Sequence, residues 1–316
     1  MPTPPANIPG AIITGWGAAL PDTVVTNYDF MKTLDTSHDW IVERTGIHER
    51  RFGGTTTSLS IESGRQAIER AGIDPSEIDV LVLATTTPDR TVPASAPGIQ
   101  NALGLRCGAF DVNAACSGFV YGLVAAHGFI AMGSKKILVI GTDTLSRITD
   151  QSDRNTALLF ADGSGAAVLE ATDGPGQLCG WDLDADGSAE EILYAEVGGY
   201  LQMDGKEVFR RAVRIMVDSA TKSMKHAGIT ADQIAIVIPH QANIRIIEAA
   251  CSRLGVPMDR TITVLQRTGN TSAASIPLAL ADALDNDRIK PGDYVLLVGF
   301  GAGMTAASAL LKWGGV

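Results

Sequence analysis

Four short runs of the chain are apolar at nearly every position: Val80–Ala84, Ile137–Ile140, Ile234–Ile238 and Val295–Val298. Runs of this kind are expected of strands whose sheet is covered on both faces, so helices must flank them. The segment Ser117–Met132 carries Phe119, Leu123, Val124, Phe129 and Ile130 around its whole circumference. That pattern predicts a helix buried in the centre of the molecule. Residues 294–311, YVLLVGFGAGMTAASALL, hold no charge over 18 positions, nominally enough to cross a bilayer. Three glycines with Thr305 and Ser308 interrupt the run, which favours a buried strand, a glycine-rich turn and a second buried strand.

The pattern repeats. Residues 71–82, AGIDPSEIDVLV, match residues 227–238, AGITADQIAIVI, at an offset of 156 (227 − 71), each reading as a helix end, a turn, a short amphipathic piece and a strand. A second pair, KKILVIGTDT and GDYVLLVGFG, aligns Gly141 with Gly299 at an offset of 158 (299 − 141). Both halves carry the same βα units, so the fold class is α/β and duplicated, with an N-terminal half at 1–172 and a C-terminal half at 173–316. Between them, 172–190 concentrates Gly, Asp and Ser while apolar periodicity fades, which places the boundary there.

Composition narrows the class. Of 316 residues, 45% are hydrophobic and 19% charged, which excludes disorder, collagen and charge-rich coiled coil. Lys and Arg number 25 against 35 Asp and Glu, a formal charge of -10. The long-range field therefore repels phosphate backbones and anionic lipid, and neither nucleic acid nor membrane is an expected partner. Cysteines 107, 116, 179 and 251 come without a Cys-x-x-Cys or His-x-x-x-His pair, so neither a disulfide framework nor a metal site is signalled. The opening MPTPPANIPG has no positive n-region and no apolar h-region. No leader is read there, and a reduced cytoplasm is the expected location.

In open α/β architectures ligands gather beyond the carboxyl ends of the strands, and three such ends are chemically loaded. In DVNAACSG at 111–118 an extended segment runs into the buried helix with Cys116 at its start. A helix dipole and unpaired N–H groups there favour thiolate and can lower its pKa. Ile238-Pro239-His240-Gln241-Ala242-Asn243 follows a repeated strand, and Thr268-Gly269-Asn270-Thr271-Ser272 opens a loop of small polar residues before an apolar helix. Each alone also has a structural reading: a small buried hydrophobe, a hydrogen-bonded histidine, an N-cap turn. The repeat draws them together. Cys116 and Asn270 lie 154 positions apart (270 − 116), close to the repeat offset, and His240 ends the strand that duplicates Val80–Ala84. A thiolate, a neutral imidazole and an amide donor at one point can take an acyl group on sulfur and donate hydrogen bonds to a developing enolate oxygen.

These residues resemble the β-ketoacyl-acyl carrier protein synthase III family of the thiolase fold, along nearly the whole chain. The resemblance rests on WIVERTGIHER at 40–50, DVNAACSGF, FADGSGAAV at 160–168, MDGKEVFRRAV at 203–213, IPHQANIR, GNTSAASIP and GFGAGMTAASALLKW. It implies a layered α/β/α/β/α architecture with buried central helices and a decarboxylative Claisen condensation of acyl-CoA with malonyl-acyl carrier protein. Cys116 then resembles the acylated nucleophile, and His240 and Asn270 the pair that promotes malonyl decarboxylation. Trp40 and Arg44 resemble residues facing the coenzyme A nucleotide, with Arg154 and Asn243 along the pantetheine path. Backbone N–H groups of Cys116 and of the Gly301–Gly303 loop would hold the oxyanion. The family often has glycine where this chain has Ala302, so a required positive φ there would be strained. No metal, nicotinamide or flavin is implied.

An acidic carrier needs a local basic patch, for which Lys206, Arg210 and Arg214 recur at i, i+4 and i+8, with Arg211 alongside and Arg245 after the His240 loop. The alternative is a solvated helix face paired with Glu207 and Asp218. The resemblance also implies a homodimer covering an apolar edge strand and loop around Thr85–Ala96, with Val92 either reaching the neighbour's acyl tunnel as a gate or only packing the interface. A degradative thiolase needs a second cysteine near the C-terminus, and 299–316 has none. A synthase III-like acyltransferase serving an alcohol or amine is the alternative within the fold, disfavoured because both His240 and Asn270 are present.

Overall fold

The computed structural model describes residues 9–314; the first eight residues of the stretch read for a leader lie outside the described residues. Two mixed sheets form the framework. The first holds β1 (Gly10–Ala19), β2 (Val80–Ala84), β3 (Gly108–Val112), β4 (Lys136–Thr144) and β5 (Asp162–Thr172) in the spatial order β1-β5-β4-β2-β3. The second holds β6 (Leu178–Asp184), β7 (Ile234–Pro239), β8 (Tyr294–Gly301) and β9 (Thr305–Lys312) in the order β7-β8-β9-β6. β2 runs parallel to β4, which pairs antiparallel with β5; β7 runs parallel to β8, which pairs antiparallel with β9. The second sheet thus repeats the first strand for strand, with β3 as an added edge.

The apolar runs are continuous because each sheet is sandwiched. Helix α3 (Gly118–Ala131) and helix α6 (Ser275–Asp285) lie between the sheets. There Phe119, Leu123 and Ile130 of α3 and Ile276, Ala279 and Leu280 of α6 pack with Val82 and Val139 of the first sheet and Ile238 and Leu297 of the second. Leu81 and Leu83 point the other way, onto Ala67 and Ile68 of α2 (Thr56–Ala71). On the second sheet's outer face, α4 (Gly205–Ala227) and α5 (Ile244–Leu254) bring Met216, Ala220 and Ile247 onto Val237 and Leu296. The order of layers is therefore α/β/α/β/α. Alternate strand residues feed different layers, and a polar residue at either parity of these runs would be costly to bury unless a partner met it.

Two readings of the sequence are corrected. The segment 172–190 is not all connection: Leu178–Asp184, LCGWDLD, is the strand β6, pairing antiparallel with β9. Its short alternation is hidden by Asp182, which is buried beneath α4 with Lys222 Nζ at 3.4 Å, and by the exposed Asp184 at the strand end. The edge strand is not at Thr85–Ala96, which forms an irregular loop; the sheet ends at β3. The uncharged run 294–311 is the β8–turn–β9 hairpin, and among the described residues no helix is long and apolar enough to cross a membrane.

Candidate active site

Each central helix is entered through the same device. After β3, the Asn113 side-chain oxygen accepts from the Ala115 N–H at 3.1 Å, Ala115 is left-handed with φ +48, and a short turn leads into α3. Before α6, the Asn270 Oδ1 accepts from the Ser272 N–H at 2.9 Å, and Ser272 has φ +50. Non-glycine residues held left-handed store strain of order 1–3 kcal/mol and concentrate at functional sites. The equivalent pairs are therefore Asn113 with Asn270 and Cys116 with Ala273. The sequence offset that matched Cys116 directly to Asn270 is out by three residues.

Cys116 is 8% exposed. The expected lowering of its pKa is not found: burial pushes the thiol from 9.0 up to about 12, the Ser272 hydroxyl offsets this in part through a hydrogen bond, and the Asp143 charge adds to it. The rise corresponds to ~4 kcal/mol. A helix terminus supplies at best ~2 kcal/mol, so burial wins and the resting group is the thiol.

His240 follows β7, its N–H donating to the Val298 carbonyl at 2.8 Å. Burial pushes its pKa down to about 3, so the imidazole is neutral. Its Nδ1 lies 2.6 Å from Ser275 Oγ, which also accepts from the Gln241 N–H at 3.3 Å. Among the described residues Nδ1 is the acceptor within that hydroxyl's reach, so Ser275 donates to Nδ1 and the ring proton sits on Nε2. Asn270 is held by both backbone groups: its N–H donates to the Leu159 carbonyl at 2.9 Å and its carbonyl accepts from Ala161 at 2.8 Å. Since Ser272 N–H occupies Oδ1, the amide NH2 is the end left for a ligand. Behind this loop the wholly buried Arg50 donates to the Leu158 carbonyl and to Asn27, and burial lowers its pKa to about 9.

Cys116, His240 and Asn270 line one cavity of about 140 Å³, walled by Leu159, Phe160, Val208, Phe209, Ile246 and Phe300. A larger cavity of about 370 Å³ opens on the other side of Cys116, bounded by Thr86, Ile148, Glu190, Tyr194, Ala302 and Gly303. Gly301 closes the turn between them: a Cβ there would lie 2.6 Å from Cys116 N. The left-handed residues of this loop are Gly303 at φ +68 and Met304 at φ +44. Ala302 is not among them, so the strain expected from alanine at that position does not arise.

Trp40 and Arg44 of α1 (His38–Thr45) come together with Arg154 and Asn243 around a third cavity of about 540 Å³ that shares Leu159, Gly205, Phe209 and Asn243 with the Cys116 cavity. The Arg154 and Arg44 guanidinium carbons lie 4.7 and 5.8 Å from the Trp40 ring centre. Asn243 sits at the junction with its side chain already engaged, donating to the Arg44 carbonyl at 2.9 Å and capping α5 at Arg245 N–H. The basic residues expected to face a carrier protein have different neighbours. Lys206 and Arg245 rim this cavity, Arg210 is paired with Glu207 at 2.6 Å, Arg211 faces Asp186 at 3.5 Å, and Arg214 lines a separate cavity with Asp182, Asp184 and Asp218. Lys206, Arg210 and Arg214 keep their i, i+4, i+8 spacing on α4, and acidic side chains neighbour Arg210, Arg211 and Arg214. Val92 is 82% exposed and lines none of these three cavities.

Ser272, Ser275 and Asp143 also belong to this site through their contacts with Asn270, His240 and the Ala273 amide. The signal for Asp143 is a charged residue closing the apolar strand KKILVIGTDT. Ser272 and Ser275 give no signal beyond lying in a loop of small residues.

A duplicated, layered α/β fold that sets a buried cysteine, a neutral histidine and an asparagine amide around one cavity defines a condensing enzyme of the thiolase-like class. Residues 110–187 match the family described as 3-oxoacyl-[acyl-carrier-protein (ACP)] synthase III, and residues 224–313 match its C-terminal part. The chain belongs to the β-ketoacyl-acyl carrier protein synthase III family. It is 46% identical over 96% of its length to the β-ketoacyl-[acyl-carrier-protein] synthase III of Roseiflexus sp. (strain RS-1), covering 98% of that protein. The crystal structure of 3-oxoacyl-[acyl-carrier-protein] synthase III from Aquifex aeolicus VF5 superposes with a TM-score of 0.94 at 41% identity, over 96% of this chain and 100% of that one. The priming β-ketosynthase of the R1128 polyketide biosynthetic pathway superposes with a TM-score of 0.92 at 34% identity, over 98% of each chain.

Proposed function

We propose that this protein condenses an acyl-CoA primer with malonyl-acyl carrier protein to give a β-ketoacyl-acyl carrier protein, the opening step of fatty acid or related polyketide synthesis. The observation that carries the reading is the shared cavity, in which Cys116 faces two neutral donors, His240 and Asn270, between apolar walls that include no cation. In the first half-reaction the Cys116 sulfur attacks the thioester carbonyl, the oxyanion is met by backbone N–H groups of Cys116 and the Gly301–Gly303 loop, and coenzyme A leaves with the thiol proton. In the second, the C–C bond to the malonyl carboxylate breaks and carbon dioxide leaves. The electron pair forms an enolate whose oxygen accepts from His240 Nε2–H and the Asn270 amide. Apolar walls without a cation favour loss of the carboxylate as neutral carbon dioxide. The enolate carbon then attacks the acyl-cysteine, and Cys116 is expelled as a thiolate that regains a proton.

Both halves transfer an acyl group, so the enzyme is an acyltransferase as well as a condensing enzyme, and neither half calls on a metal or redox cofactor. Coenzyme A occupies the Trp40, Arg44 and Arg154 cavity, and the primer's acyl chain enters the cavity beyond Cys116, whose size suits chains longer than acetyl. A homodimer follows from the unpaired outer edge of β3 and the exposed Val92 loop beside it. Soluble thioester substrates place the reaction in the cytoplasm. Intact-mass measurement after exposure to a panel of acyl-CoAs, followed by addition of malonyl-acyl carrier protein, tests the reading. An acyl adduct on Cys116 that is converted to β-ketoacyl carrier protein is expected. An adduct that passes only to an alcohol or amine, without carbon dioxide, would overturn it.

A further inference from the structure

The internal symmetry that pairs Gly141 with Gly299 also pairs Asp143 with Gly301, and it pairs Cys116 with Ala273. On one side of the pseudo-twofold, Gly301 has no side chain and its backbone abuts the Cys116 amide. On the other, Asp143 reaches the equivalent amide, its Oδ2 accepting from Ala273 N–H at 3.1 Å. A carboxylate oxygen therefore occupies, permanently, the counterpart of the place where a transient oxyanion would sit beside Cys116.

The rest of that carboxylate is anchored as firmly. Oδ1 accepts from the Thr86 N–H at 2.7 Å and from the hydroxyls of Thr85, Thr86 and Thr87 at 3.1, 2.9 and 3.0 Å. Asp143 is wholly buried, and among the described residues no Lys, Arg or His pairs with it; its charge is balanced by these N–H and O–H donors alone. We propose that Asp143 is a positioning residue of the decarboxylation half-reaction: its carboxylate clamps the strained Ser272–Ala273 turn to the Thr85–Thr87 loop and so aims the Asn270 amide. Ser272 is the link, because its N–H fixes Asn270 Oδ1 only while the residue is held at φ +50. Beyond that turn, Ser275 lies on the same segment and its hydroxyl reaches His240 Nδ1 at 2.6 Å, so the clamp orders both enolate donors. The inference rests on the function proposed above.

Asp143→Asn is nearly isosteric. With its oxygen kept on the threonine donors, its NH2 meets the Ala273 N–H donor to donor, which removes the clamp on the Asn270 side. Carbon dioxide release from malonyl-acyl carrier protein, labelled in the free carboxyl, is expected to fall ~10-fold more than Cys116 acylation, as for one lost buried hydrogen bond. Glycine adopts positive φ without strain, so Asp143→Asn combined with Ser272→Gly is expected to decarboxylate within about threefold of Ser272→Gly alone. A merely structural carboxylate would give neither the split between half-reactions nor the rescue. Equal loss of both half-reactions, undiminished decarboxylation in Asp143→Asn, or no rescue would each overturn the proposal. If the single variant fails to fold, the double variant must fold and show the rescued rate; its failure is equally decisive. A wild-type enzyme that releases no carbon dioxide would overturn the functional reading itself, and this inference with it.

Discussion

Replacing Gly301 by alanine adds one methyl group at the most crowded point of the site. The backbone there is extended, with φ -156, so alanine meets no conformational penalty and space alone decides the outcome. The new Cβ would lie 2.6 Å from Cys116 N, 2.9 Å from Ala115 Cβ and 2.9 Å from Thr305 Oγ1, against 3.4 Å where ordinary contact begins. Neither neighbour gives way easily. Ala115 is already left-handed at φ +48, and Thr305 Oγ1 donates to the Ala114 carbonyl at 3.0 Å. The loop carrying Ala302 and Gly303 must therefore retreat by 0.8 Å or more (3.4 − 2.6). Overpacking of this kind costs about 1–3 kcal/mol of stability, and a displacement near 1 Å at a reacting centre costs ~100-fold in rate, comparable to losing one oxyanion donor. Timed intact-mass measurement of Cys116 acylation is expected to show a fall of ~100-fold or more, with the acyl-CoA dissociation constant little altered, because the Trp40 cavity does not include Gly301. A folded Gly301→Ala enzyme that acylates within threefold of wild type would refute the placement of the oxyanion beside this loop.

The raised thiol pKa of Cys116 leaves it mostly protonated at neutral pH, so its thiolate fraction should grow ~10-fold per pH unit; alkylation by iodoacetamide is expected to climb from pH 7 to 9 without a plateau, and a plateau below pH 8 would contradict it. Ser275→Ala removes the partner of His240 Nδ1 and frees the wrong tautomer, with an expected ~10-fold loss of decarboxylation and acylation less affected. His240 also predicts an acid effect on stability: its folded pKa of about 3 lies below the unfolded 6.5, so stability present above pH 6.5 is lost as pH falls toward 3, by ~1.4 kcal/mol per unit. Denaturant melts of wild type and His240→Gln across pH 4–7 read that slope, and identical slopes would remove the histidine as its source. Trp40→Ala or Arg154→Ala should raise the KM for acyl-CoA while leaving the rate of the malonyl-dependent half unchanged, and an unaltered KM would detach this cavity from coenzyme A.

Much of this protein is determined by sequence alone, and the reason is periodicity. The uninterrupted apolar runs at Val80–Ala84 and Ile234–Ile238 read as strands covered on both faces, the all-round apolar Ser117–Met132 reads as an interior helix, and the recurrence of the strands at about half the chain length declares the duplication. Cys116, His240 and Asn270 were legible because each ends or begins one of those elements. What tertiary structure alone decided are properties that depend on neighbours distant in sequence. Burial outweighs the helix terminus at Cys116, because the desolvation of a charged sulfur exceeds any local dipole. The proton of His240 is placed by Ser275, 35 positions away. Arg211 and Arg214 of α4 meet aspartates of β6 and of the turn after it, and Asp143, an unremarked strand-end carboxylate in the sequence, becomes the tie between Thr85–Thr87 and Ala273. Apolar spacing is a local signal repeated along the chain, whereas a pKa, a tautomer or a buried carboxylate's partners are fixed only when the two halves close on each other.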